Sequence, residues 1–142
     1  MRRATRGAIA MAAITLLAFG GGAAASAAPA IPVNNGQETT GAEGGAHGFF
    51  SYRIAGNQFC YTLEVEGLTA PTVAAHVHVA PRKVAGPVVV PIVVPNETTF
   101  ETSGCTTADP ALLAAIAENP RGYYINVHTP TYPGGEVRGQ LK

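Results

Sequence analysis

QFCYTLEVEGL, Gln58 to Leu68, alternates apolar and polar side chains from Phe59 through Glu66. Phe59, Tyr61, Leu63 and Val65 fall on one side, and Cys60, Thr62, Glu64 and Glu66 on the other. A period of two is the mark of a strand with one face in a core and one toward solvent. The preceding GFFSYRIA has similar length and runs into Gly56-Asn57, so the two segments read as a hairpin with its turn at that pair. Further on, PVVVPIVVP (Pro87 to Pro95) is nearly all β-branched but broken by Pro91, which cannot donate to a ladder. That strand belongs at an edge, or is bulged near Pro91. GYYINVHT and GEVRGQLK alternate again, joined by the turn PTYPGG.

One segment reads as a helix. In DPALLAAIAENP, Asp109 is an N-cap, Pro110 takes the first helical position, the interior is Ala, Leu and Ile, and Asn119-Pro120 ends it. Leu112, Leu113 and Ile116 share a side and make it a packing element. The count is about seven short strands and one helix, an all-β chain whose expected architecture is an antiparallel β-sandwich with the helix across one end. A parallel sheet would need more crossover helices.

The N-terminus is of a different kind. Arg2, Arg3 and Arg6 precede an uncharged apolar run of 12 residues, Ala8 to Phe19, followed by small residues. This is the pattern of a secretory signal peptide, residues 1–27, with cleavage after Ala27. The run is short of the roughly 20 residues a spanning helix needs. Arg2-Arg3 lacks a flanking twin-arginine consensus, so general secretion is expected. Residues 28–46, poor in large apolar side chains, read as a flexible lead-in with a short edge strand around Val33, and 47–142 as the folded domain. Without the leader, six Lys or Arg face nine Asp or Glu, a formal charge of −3. Nucleic acid is excluded as a natural partner, and no basic amphipathic stretch suggests membrane docking. In an oxidising compartment the two cysteines, Cys60 and Cys105, have only one intramolecular pairing.

Together CYTLEVEGL, AAHVHVAP, GPVVVPIVV, Gly104-Cys105, ADPALLAAIAENPRGYYINVHT and YPGGEVRGQLK resemble the CHRD domain, from about His47 to Lys142. The most specific pieces are Tyr124 to Thr129 and Pro133 to Leu141. The resemblance implies an immunoglobulin-like or related Greek-key β-sandwich in a secreted, single-domain protein of bacterial type, with no established enzymatic role. The cysteine-rich modules found beside the domain in chordin are missing, so growth-factor antagonism is not carried over.

The residues that could carry chemistry are set by the alternation. Ala75, Val77 and Val79 share a face, leaving His76 and His78 opposite; Tyr123, Ile125 and Val127 leave Tyr124, Asn126 and His128; Val137 and Leu141 leave Glu136, Arg138 and Gln140. If the apolar faces point inward, these polar groups lie on an outward or end-on surface. One reading makes them ordinary strand residues, the histidines bonded to Glu136, Asn126 or backbone and Glu136–Arg138 forming an ion pair or network that fixes the turn at Gly134-Gly135. The other makes His76, His78 and His128 a Cu or Zn site, with Asn126 or Glu136 behind the ligands, because residues two apart on a strand have α-carbons about 6.5–7 Å apart on one face. It requires the His76–His78 strand to lie beside the His128 strand.

The His-x-His strand is superficially similar to copper–zinc superoxide dismutase, but no histidine lies between His78 and His128 to supply that family's zinc loop. His47 reads as a solvated loop residue, and Tyr123, Tyr124 and Tyr132 as a potential recognition patch. Ser51 and Ser103 lack a nucleophile context. The expectation is therefore a non-enzymatic protein without a cofactor, binding an extracellular protein or polysaccharide or serving structurally in the envelope or matrix. Metal binding, with superoxide-dismutase-like chemistry at its furthest, is the alternative.

Overall fold

The computed structural model describes residues 30–142; the expected signal peptide, 1–27, lies outside them. Eight strands follow in order: β1 Ile31–Asn34, β2 His47–Ala55, β3 Gln58–Glu66, β4 Ala74–Val79, β5 Val88–Ile92, β6 Phe100–Thr107, β7 Tyr123–His128 and β8 Val137–Gln140. The helix α1, Pro110–Glu118, lies between β6 and β7. All pairings are antiparallel, and the strands form one sheet in the order β5-β4-β7-β8-β1-β2-β3-β6. It curls until its two edges meet, giving a nearly closed barrel whose facing walls are compatible with the expected sandwich. Side chains make the closure: Thr102 Oγ1 donates to Val93 O (3.3 Å), Thr106 Oγ1 to Pro91 O (3.2 Å), and Val93 N–H to Tyr61 Oη (2.9 Å).

The local rules of the sequence explain most elements. Ala55 pairs with Gln58 across the two-residue turn Gly56-Asn57. Asp109 caps α1 by accepting from Ala111 N–H and Leu112 N–H. Pro91 sits in edge strand β5, and the register against β4 slips between Val77 and His78. Inside the barrel, Phe50, Tyr52 and Phe59 stack with centroids 5.0–6.3 Å apart. Leu63, Val65, Val77, Val90, Ile125, Val127 and Val137 surround them, and α1 adds Leu113 and Ile116. Burying each such aliphatic side chain stabilises by roughly 1.5–3 kcal/mol.

Two strands depart from expectation. β1 is interior, between β8 and β2, rather than at an edge, because Ile31 and Val33 are both buried in the core. The segment read as a flexible lead-in thus contributes a central strand. β6 has no counterpart in the sequence reading. Its inward positions after Phe100 are Thr102, Gly104 and Thr106, so it carries no hydrophobic period. The threonines serve the edge closure, and a Cβ on Gly104 would lie 3.0 Å from Tyr61 Oη, the group that closure uses.

Cys60 and Cys105 face each other in the β3–β6 register and are disulfide-bonded on the outer face. The bond spans 45 residues. On the chain-entropy model its removal costs about 3–4 kcal/mol. Denaturant unfolding of Cys60→Ala/Cys105→Ala is expected to show a loss of that order, and non-reducing mass spectrometry of the native protein no alkylatable thiol.

Candidate metal centre

The pairing of β4 with β7 supplies the adjacency that the three-histidine site requires. Ala74 is opposite His128, His76 opposite Asn126, and His78 opposite Tyr124. The three imidazoles therefore project from the same face of two neighbouring strands, and their centroids are 5.0–5.7 Å apart. One ring nitrogen from each can be chosen so that all three lie within 4.8 Å of one another. His76 Nδ1 and His128 Nε2 are 3.1 Å apart.

Backbone carbonyls fix two of the three rings. His78 Nδ1–H donates to Gly86 O (2.9 Å) and His128 Nδ1–H to Pro133 O (3.0 Å), so both Nε2 atoms keep their lone pairs. His78 Nε2 is buried and has no hydrogen-bond partner among the described residues. The His78 ring lies nearly parallel to Tyr124, 4.9 Å between centroids, and the Arg138 guanidinium lies over the Tyr124 ring, 3.4 Å from its centroid. Arg138 donates in turn to Val84 O and Pro81 O, both at 2.9 Å, and to Gln140 Oε1. Burial pushes the His128 pKa down to about 4, against the opposing pull of its Pro133 carbonyl; burial also lowers His76 and His78. At neutral pH all three are uncharged imidazoles, the form that ligates metal.

The polar face is not outward, as the alternation implied. Asn126, Glu136 and Arg138 are at most 2% exposed, and His78 and His128 are buried with them. Loops form a second cover over this side of the sheet: Thr40 Oγ1 donates to Gly135 O (2.8 Å), Asn35 Nδ2 to Glu136 O (2.8 Å), and Lys83 Nζ to Glu38 O (3.1 Å) and Gly36 O. Nor do Glu136 and Arg138 hydrogen-bond to each other. Glu136 accepts from Thr69 N–H (2.7 Å), Thr69 Oγ1 (3.0 Å) and Thr129 Oγ1 (2.6 Å), tying the loop before β4 to the residue after His128. Asn126 and Glu136 make no hydrogen bond to a histidine, so the expected support comes instead from backbone carbonyls and Tyr124. Tyr123 and Tyr124 are buried, and therefore form no surface patch. Exposed His47, the first residue of β2, is outside the cluster.

Glu38 escaped the sequence reading because nothing in the polar stretch around it marks it for burial. Its carboxylate accepts from Asn126 Nδ2 and Thr39 N–H. Gly135 makes room for this pair: at φ 128°, a Cβ there would lie 2.1 Å from Asn126 Nδ2 and 2.6 Å from Glu38 Oε1. Burial raises the Glu38 pKa to about 7 from an ordinary 4.5, although Thr39 N–H, Arg138 and Lys83 pull it down. The folded state then retains a proton that the unfolded state releases above 4.5. Its contribution to stability is full below that pH and declines as pH rises to about 7. In chelator-treated protein, Glu38→Gln is expected to gain stability relative to the parent between pH 4.5 and 8, on the order of 1–3 kcal/mol after allowance for screening. Denaturant titrations across that range check it; a constant difference would contradict it.

Among the described residues, no helix is long and apolar enough to cross a membrane. No curated protein and no solved structure matches the chain. The family model of the CHRD domain, however, matches residues 24–141, which takes in β1 and Glu38 as well as the histidine strands and the C-terminal hairpin. By a match over nearly its whole length, the chain belongs to the CHRD domain family.

Proposed function

We propose that this is an extracellular, non-enzymatic CHRD-domain protein of the cell envelope or matrix, and that its folded domain holds one Cu or Zn ion at His76, His78 and His128. The observation that carries the metal assignment is that the His78 ring, whose buried Nε2 has no partner among the described residues, offers a nitrogen within 4.8 Å of one from each of the other two histidines. Leaving a buried acceptor unsatisfied costs roughly 1–3 kcal/mol, a cost that an ion at this position removes. Three imidazoles without a thiolate or carboxylate suit Zn or Cu, and the Irving–Williams order favours Cu(II) of the two.

The spacing is compatible with this use. Bonds of about 2.0–2.1 Å at tetrahedral angles place ligand nitrogens about 3.4 Å apart. The 3.1 Å between His76 Nδ1 and His128 Nε2 is close to that, and drawing in the 4.8 Å limit takes a shift of about 1.4 Å, within reach of side-chain torsions. Without an ion, His76 Nδ1–H can donate to His128 Nε2; binding would replace that proton. His76 is partly exposed and offers an entry path, while a fourth coordination position remains for water or an outside ligand. Extracellular placement is supported by the N-terminal signal pattern and the disulfide.

Elemental analysis after chelation and re-equilibration with Cu(II) or Zn(II) is expected to find one ion per chain. His78→Ala and His128→Ala should each weaken binding by more than about 100-fold, exceeding the usual effect of residues that only support ligands. His47→Ala should leave uptake unchanged. Absence of stoichiometric uptake at micromolar metal, in protein shown to be folded by circular dichroism, would remove the metal assignment.

A further inference from the structure

A separate cleft of about 320 Å³ is lined by Pro32, Gln37, Arg82, Arg121, Gln140, Leu141 and Lys142. Its volume is at the small end of the range for small-molecule sites. No Asp or Glu side chain lines it. Arg82 and Arg121 are both exposed, and among the described residues neither guanidinium donates a hydrogen bond to the protein. The concentration of charge is unusual for a mature chain of formal charge −3: three of its six Lys or Arg line this cleft. A fourth, Arg138, is close enough for the charge of Arg82 to act on it.

The walls are also held in place. Gln140 Nε2 donates to Ala80 O (2.8 Å), Arg121 O (2.8 Å) and Tyr123 O (2.9 Å), pinning the segments that carry Arg82 and Arg121 to β8. Gln37 Nε2 donates to Pro32 O (2.8 Å), fixing a further part of the lining. Two guanidinium forks without partners match the oxygens of a carboxylate or sulfate. The side-chain amide of Gln37 and the apolar surfaces of Pro32 and Leu141 provide the mixed lining that a sugar ring, with its hydroxyls and C–H faces, can use.

We infer that this cleft binds an acidic saccharide unit, its carboxylate or sulfate held between Arg82 and Arg121. The inference deepens the extracellular-partner part of the proposed function and uses none of the metal-site histidines, so the two can fail separately. Calorimetric titration of the full mature chain with trigalacturonate, a sulfated trisaccharide, a neutral trisaccharide and inorganic phosphate tests it. At least one acidic saccharide is expected to bind with a salt-sensitive affinity, while the neutral one does not. Arg82→Ala/Arg121→Ala should weaken that binding at least about tenfold through loss of two charge-assisted contacts, whereas Arg53→Ala and metal content serve as unaffected controls. Lysine at both positions should restore only part of the affinity, because it keeps charge but not the planar fork. No acidic saccharide binding, binding indifferent to the double variant, or phosphate binding as tightly as the saccharides would overturn the inference.

Discussion

The antiparallel register of β4 on β7, with His76 opposite Asn126, is the constraint on which the site depends. It directs Ala75, Val77, Ile125 and Val127 into the barrel and sets His76, His78 and His128 together on the reverse face. Since side chains alternate along a strand, a slip of one residue would exchange these faces, burying imidazoles among aliphatics and turning the aliphatics outward. The cost of moving several buried aliphatic side chains into water therefore protects the histidine geometry. β8 extends the same arrangement by placing Arg138 opposite Asn126.

The reverse face is a second interior built from polar groups. It is tolerated because most of its donors and acceptors are matched: Glu136 by Thr69 and Thr129, Arg138 by loop carbonyls and the Tyr124 ring, and two histidine Nδ1 atoms by backbone oxygens. Burial also keeps the histidines neutral and holds Glu38 near 7, which limits the charge confined there. Among the described residues Asn126 Oδ1 on this face and Asn35 Oδ1 in its cover also lack partners; His78 Nε2 differs from them because its ring is held through Nδ1 and has two neighbouring imidazoles close at hand.

Strands with an apolar face were legible in the sequence, as were the Gly56-Asn57 hairpin, the Asp109-capped helix, the edge position of β5 and the cysteine pair. β6 was not, because its inward residues are threonine and glycine used for edge hydrogen bonds and for clearance around Tyr61. The three histidines were legible as candidates, but local spacing could join only His76 to His78; His128 required the long-range β4–β7 pairing. Alternation also separated the polar face from the core without showing that it is covered. That cover comes from segments with weak periodicity, including the one bearing Glu38, whose burial depends on contacts with residues nearly ninety positions away.

The central claim is that three neutral imidazoles, placed by strand register and two of them anchored from behind by backbone carbonyls, converge on one ion. Anomalous diffraction from crystals of the chelated protein re-equilibrated with Cu(II) or Zn(II) tests it directly. The account predicts a single strong site about 2.0–2.1 Å from His76 Nδ1, His78 Nε2 and His128 Nε2, with the Gly86 and Pro133 carbonyl bonds retained. An ion located elsewhere, or no anomalous peak among these nitrogens in otherwise ordered crystals, would contradict it.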